Sequence, residues 1–163
     1  MNLTELSTLM QNAGVAGAGG AGFPSYAKLD ARADTLILNC AECEPLLKLH
    51  RQVLERFAFE ILQTLDLFAE TVGAEQIIIA VKAAYTGAVE AVRAQLPRFP
   101  KAKIGLLPEI YPAGDEVVTI YETTGRVVAP GQLPITVGVT VFNVETIYNA
   151  WRALNEGVGV TDK

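Results

Sequence analysis

Apolar positions along the chain follow two periods in alternation. Leu3, Leu6, Leu9 and Met10 fall at helical spacing, so residues 3–13 are predicted as a helix ended by Gly14. "TLILN" (35–39) is a short apolar run closed by polar residues, the pattern of a strand buried on both faces. Val53, Leu54, Phe57, Ile61, Leu65 and Phe68 recur every three or four residues and predict one long amphipathic helix over 49–71. "QIIIAV" (76–81) and "KIGLL" (103–107) read as further strands, with a helix over 84–96 between them that Pro97 stops. After a helix near 115–124 and an irregular stretch rich in Gly and Pro, "VTVFN" (139–143) is a fourth strand and "VETIYNAWRALN" a closing helix.

Strands alternating with helices predict an α/β fold: a three-layer, Rossmann-like domain with a four-stranded, mostly parallel sheet and helices on both faces. At 163 residues one domain spanning 1–163 is expected, long enough to bury a core. In such sheets ligands bind outside the carboxyl ends of the strands. Here those ends lead into "NCAECEP", "VKAAYTG", "LPEIYPAGDE" and "NVET", so polar groups converge on one edge.

Charge narrows the classes of partner. The formal net charge is −5 with no long Lys/Arg cluster, which argues against binding nucleic acid by charge. No apolar run reaches the roughly eighteen residues needed to cross a bilayer, and the first residues lack a basic start. A cytoplasmic chain without direct membrane insertion is expected, with attachment to a membrane complex or a microcompartment left open. Two cysteines and one histidine cannot supply the ligands of an iron–sulfur cluster or a zinc site, so no metal is expected.

The stretch "GAGGAGFPSYAKL" (17–29) contains G-x-G-x-x-G at Gly17, Gly19 and Gly22, yet it follows a helix and precedes the first strand. A dinucleotide fingerprint belongs after its strand, so that reading is rejected. Glycines still let backbone N–H groups approach an anion, and a following helix N-terminus adds a favourable dipole. Lys28, about one turn beyond Pro24, could reach a phosphate; a hinge between helices explains the glycines equally well. "CAEC" places Cys40 and Cys43 after a strand like a thiol redox pair. Glu42 and Glu44 would raise both thiol pKa values by like-charge repulsion, which favours two small structural thiols instead. Carboxylates at Glu42, Glu44, Asp115 and Glu116 could accept hydrogen bonds from ribose or ribityl hydroxyls, or form a solvated rim.

Taken in order, "GAGGAGFPSYAKL", "NCAECEP", "YPAGDE" and "NVET" are similar to the flavin-binding domain shared by two groups. One is the flavoprotein subunit of respiratory complex I; the other, nearer in its motifs, is the RnfC-type electron-transport subunits with the PduS-type cobalamin reductases. The resemblance covers nearly the whole chain and accounts for a glycine-rich loop ahead of the first strand. It implies an oxidoreductase module that binds FMN, takes hydride from NADH and passes electrons to a partner iron–sulfur or cobalamin centre. Carried over residue by residue, Gly17, Gly19, Gly20 and Gly22 would cradle FMN with Lys28 near its phosphate or ribityl end. Asn39 and Glu42 match the loop that touches flavin and nicotinamide, and Phe23 an aromatic that stacks on the adenine. Gly114, Asp115 and Glu116 match the segment along the flavin ring, and Asn143 to Thr146 the motif that closes over the phosphate. Glu42 and Glu116 would act at the reacting end, orienting the nicotinamide ribose and tuning the flavin.

Departures bear on affinity. Ala18 and Ala41 replace polar residues of the complex I subunit, and Phe142 replaces an amide. They remove polar contacts and support one alternative, a flavin-free assembly domain; Cys40 and Cys43 carry the other, a CxxC thiol redox protein. Relatives of this type continue into a β-rich ubiquitin-like domain and a ferredoxin segment, both expected to be absent here. A shortened chain or a stand-alone domain is implied.

Overall fold

A computed structural model describes residues 2–15, 28–41, 49–108 and 115–157. Four strands, β1 (Thr35–Asn39), β2 (Gln76–Lys82), β3 (Ala102–Leu107) and β4 (Val139–Asn143), form one sheet in the order β3-β2-β1-β4. All pairings are parallel, as the continuous apolar runs require. Side chains alternate between two cores. Leu36, Leu38, Ile77, Ile79 and Phe142 face the larger one, and Ile37, Ile78, Ala80, Val139 and Val141 the smaller.

The larger core lies beneath α1 (Leu3–Asn12), α2 (Leu49–Arg56), α3 (Ala58–Val72), α4 (Thr86–Gln95) and α6 (Val144–Asn155). The other face is covered by α5 (Glu116–Thr124) and the stretch that follows it. Gly105 lets α5 approach β3: a Cβ there would meet Ile78 Cγ2 at 2.9 Å and Thr123 Cγ2 at 3.0 Å. The three-layer α/β fold read from the pattern is therefore the fold found.

The long helix predicted over 49–71 is instead two helices. Phe57, at φ −122° and ψ 34°, leaves the helical region between α2 and α3. The hydrogen bonds run on through the bend, from Phe57 N to Val53 O at 2.8 Å and from Ile61 N to Phe57 O at 3.0 Å. A contact far along the chain accounts for the bend: the Phe57 ring stacks on Tyr148 of α6 with centroids 4.4 Å apart. Periodicity reports which face is apolar, and that face survives the bend.

At the amino ends of the strands, Arg126 Nη1 donates to Asp34 Oδ1 at 2.7 Å and to the Val137 carbonyl at 2.9 Å. Gly138 lies beneath this pair with φ +77°, and a Cβ on it would stand 2.7 Å from Asp34 Oδ2. Gly138→Ala combines left-handed strain with that clash, and should lower stability by about 1–2 kcal/mol. The urea unfolding midpoint measures it; an unchanged midpoint would mean that neither the strain nor the clash carries a cost at this position.

Candidate functional site

Chain direction across the sheet reverses once. From β1 the strands step to β2 and β3 on one side, then return to place β4 on the other. The switch point lies between β1 and β4, where open α/β sheets bind their ligands. Asn39 and Asn143 end these two strands and are register partners, side by side. Asn39 Oδ1 accepts from the Ala41 N–H at 3.0 Å and holds the turn out of β1. Asn143 caps α6, its Oδ1 accepting from the Thr146 N–H at 2.8 Å. The fold thus brings Asn39, Asn143 and Thr146 together.

A cavity of about 340 Å³ lies against β4, lined by Val139, Thr140 and Val141 of that strand. Lys28 is its inner cation. Nζ donates to the Val141 carbonyl at 2.7 Å, lies 3.8 Å from Glu116 Oε1 and stands 5.9 Å from the centre of the Phe142 ring. Burial pushes the ammonium below its ordinary pKa, and the Glu116 carboxylate offsets part of that shift. Glu116 is the first residue of α5, where its charge suits the helix dipole. The neighbouring Asp115 is engaged differently. Its carboxylate caps α5, accepting from the Val117 and Val118 N–H groups at 3.0 and 3.2 Å.

The rest of the lining was not signalled by any motif. Asp30 and Arg32 add to its polar lining, and Leu133, Pro134 and Ile135 supply an apolar one. Arg32 grips Asp30 with a guanidinium fork, Nη2 to Oδ2 at 2.7 Å and Nε to Oδ1 at 3.1 Å. These bonds from Arg32 hold the Asp30 carboxyl below its usual range. An ammonium, a guanidinium, two carboxylates and an apolar wall suit a ligand that combines phosphate, hydroxyls and a flat ring. The volume is in the range of small-molecule sites.

Gly17, Gly19, Gly20, Gly22, Phe23, Glu42, Cys43, Glu44 and Gly114 lie outside the described residues, as does the helix start expected at Pro24. Two of the departures read from the sequence have structural explanations. Phe142 is buried and packs edge-on against Phe68 with centroids 5.5 Å apart, while Ala41 sits in the smaller core. Cys40 is fully buried, which places its thiol away from solvent. Among the described residues no group of His, Cys, Asp and Glu could hold a metal ion. No helix among them is long and apolar enough to cross a membrane.

Residues 10–152 match the family described as the Nuo51 FMN-binding domain of complex I type. The chain belongs to this family. Among Nuo51-type relatives, cobalamin reductase PduS of Salmonella typhimurium is 41% identical over 161 residues, which is 99% of this chain and 35% of that protein. A subunit of the Na(+)-translocating ferredoxin:NAD(+) oxidoreductase complex of Acetobacterium woodii is 35% identical over 90% of this chain and 34% of its own length. The chain therefore spans about a third of these relatives. Among solved structures, the NAD+-reducing [NiFe]-hydrogenase in its air-oxidized state superposes with a TM-score of 0.82 at 25% identity, covering 97% of this chain and 31% of that one. The Nuo51-type domain thus recurs in larger oxidoreductases.

Proposed function

We propose that the chain is a flavin-binding NADH dehydrogenase module that accepts hydride from NADH onto FMN and hands electrons to a partner iron–sulfur or cobalamin centre. The observation that carries this reading is the cavity that Lys28 and Glu116 share against β4, in a fold that sets Asn39 beside Asn143 at the switch point. The family and the names of the relatives support it: an FMN-binding domain, a cobalamin reductase, and complexes that use ferredoxin or NAD+.

Each residue's contribution follows from its chemistry. Lys28 offers a partly buried cation to a phosphate, strengthened by exclusion of water. Glu116 accepts hydrogen bonds from sugar hydroxyls and balances Lys28 when no phosphate is near. Asn39 and Asn143 fix the two strand ends against which a ring could lie. The glycines of 17–22 would let backbone N–H groups come close to the phosphate. FMN, when bound, supplies the hydride and electron chemistry itself, so the chain has no need of a general acid or base.

The test is a visible spectrum of the purified chain titrated with FMN and then with NADH. A shifted flavin spectrum that NADH bleaches is the expected result. Bound flavin that NADH leaves coloured would remove NADH as the reductant. No binding in excess FMN would replace this reading with the flavin-free assembly domain.

A further inference from the structure

Besides β4 and Glu116, two stretches of chain line the cavity: 28–32, which brings Lys28, Asp30 and Arg32, and 133–135, which brings Leu133, Pro134 and Ile135. They are held differently. The first leads into β1 and is tied to β4 twice, by the Lys28 ammonium on the Val141 carbonyl and by the Thr140 hydroxyl, which donates to the Lys28 carbonyl at 3.3 Å. The second sits in the irregular chain between α5 and β4, where Val128 alone over residues 125–138 is buried. The N–H groups within it reach only nearby carbonyls: Gln132 donates to Ala129, Thr136 to Leu133 and Gly138 to Ile135. A stretch with so few buried contacts does little to fix its own place.

One side chain supplies the link. Arg126 stands near the start of that irregular chain, and through Nη1 it donates both to the Val137 carbonyl, near the end of the same stretch, and to Asp34 Oδ1, just beyond Arg32 in sequence. The Asp34 carboxylate is itself held from the sheet, because Thr35 Oγ1 donates to it at 2.6 Å and Gln76 Nε2 of β2 donates to Thr35 Oγ1 at 2.8 Å. Neither Asp34 nor Arg126 is among the described residues that line the cavity. Resting on the reading of this cavity as the FMN site, we infer that the Asp34–Arg126 pair is its positioning device, fixing 133–135 relative to 28–32 from outside the site. Gly138 belongs to the device: a Cβ there would stand 2.7 Å from Asp34 Oδ2 and 3.3 Å from Arg126 Nη1, so the pair closes over the one residue that leaves it room. Without the pair, the polar lining keeps its bonds to β4 while the apolar lining is released, and a site loosened in this way binds less well.

The experiment is fluorescence titration of the whole chain with FMN, read beside the visible circular dichroism of the bound flavin, which reports how its ring is held. Arg126→Met should weaken FMN binding about threefold to tenfold, the scale of a partly exposed ion pair and one hydrogen bond, and should change the dichroism. Arg126→Lys should recover most of the loss, because both bonds come from one nitrogen and an ammonium has donors for both. Tyr148→Leu is the control for lost stability alone: it removes the stack on Phe57 and lies outside the lining. Affinity and dichroism of Arg126→Met that match the unmodified chain would overturn the inference and leave the FMN reading intact. A loss that Tyr148→Leu reproduces, or that Arg126→Lys does not recover, would overturn it in the same way. An unmodified chain that binds no FMN would overturn the two together.

Discussion

Phe142→Asn is expected to lower the unfolding free energy by about 4 kcal/mol, not to improve flavin binding. In the complex I subunit that the sequence resembles, an amide stands here, so restoring it looks like a gain of one polar contact to the cofactor. The surroundings say otherwise. Phe142 is 2% exposed, its ring meets Phe68 edge-on, and it belongs to the larger core under the helices. Removing the ring leaves a cavity, and the new amide would be buried among apolar neighbours without assured partners. Both effects act in the same direction. Urea unfolding with matched slopes would measure the difference. A loss below about 1 kcal/mol would mean that the Phe68 contact is dispensable and that position 142 belongs to the ligand after all.

The case of Phe142 shows which parts of this protein can be read without coordinates. β1 and β4 have the bounds that their apolar runs predicted, because a strand covered on both faces must be apolar throughout and end where polar residues begin. The bend at Phe57 was not legible. Its contact partner, Tyr148, is distant in sequence, and the helical period passes through the bend unchanged. The same divide runs through the site. Asn39 and Asn143 were recognisable as strand ends, but that they are neighbours follows from the strand order, which no local pattern contains. Asp115 was legible as a conspicuous acid, yet its oxygen is already engaged in capping α5. Asp30, Arg32 and the wall at 133–135 carry no motif. They become a lining only because two segments separated by a hundred residues flank the edge of β4.

Lys28 is where stability and function should separate most clearly. Its folded pKa is below the value of 10.5 that an unperturbed lysine takes, with burial as the main cause. Across the window between that lowered value and 10.5 the unfolded chain binds more protons than the folded one. Stability contributed by this group therefore rises with pH through the window, and at neutral pH the full penalty of burying the charge is present. Against the penalty stand the hydrogen bond to the Val141 carbonyl and the attraction of Glu116. Lys28→Met removes all three contributions together, so unfolding free energy at pH 7 should change by no more than about 1 kcal/mol, and the rise with pH should flatten. Binding should behave differently. Losing one charge-assisted hydrogen bond to a phosphate weakens affinity roughly tenfold to a hundredfold, and Glu116, left without its counter-ion, adds repulsion. Fluorescence titration with FMN beside urea unfolding would read both quantities on the same variant. A fall of several kcal/mol in stability, with FMN affinity intact in the folded fraction, would make Lys28 a clamp on the edge of β4 and nothing more. Intact stability with lost affinity would assign the buried charge to the ligand.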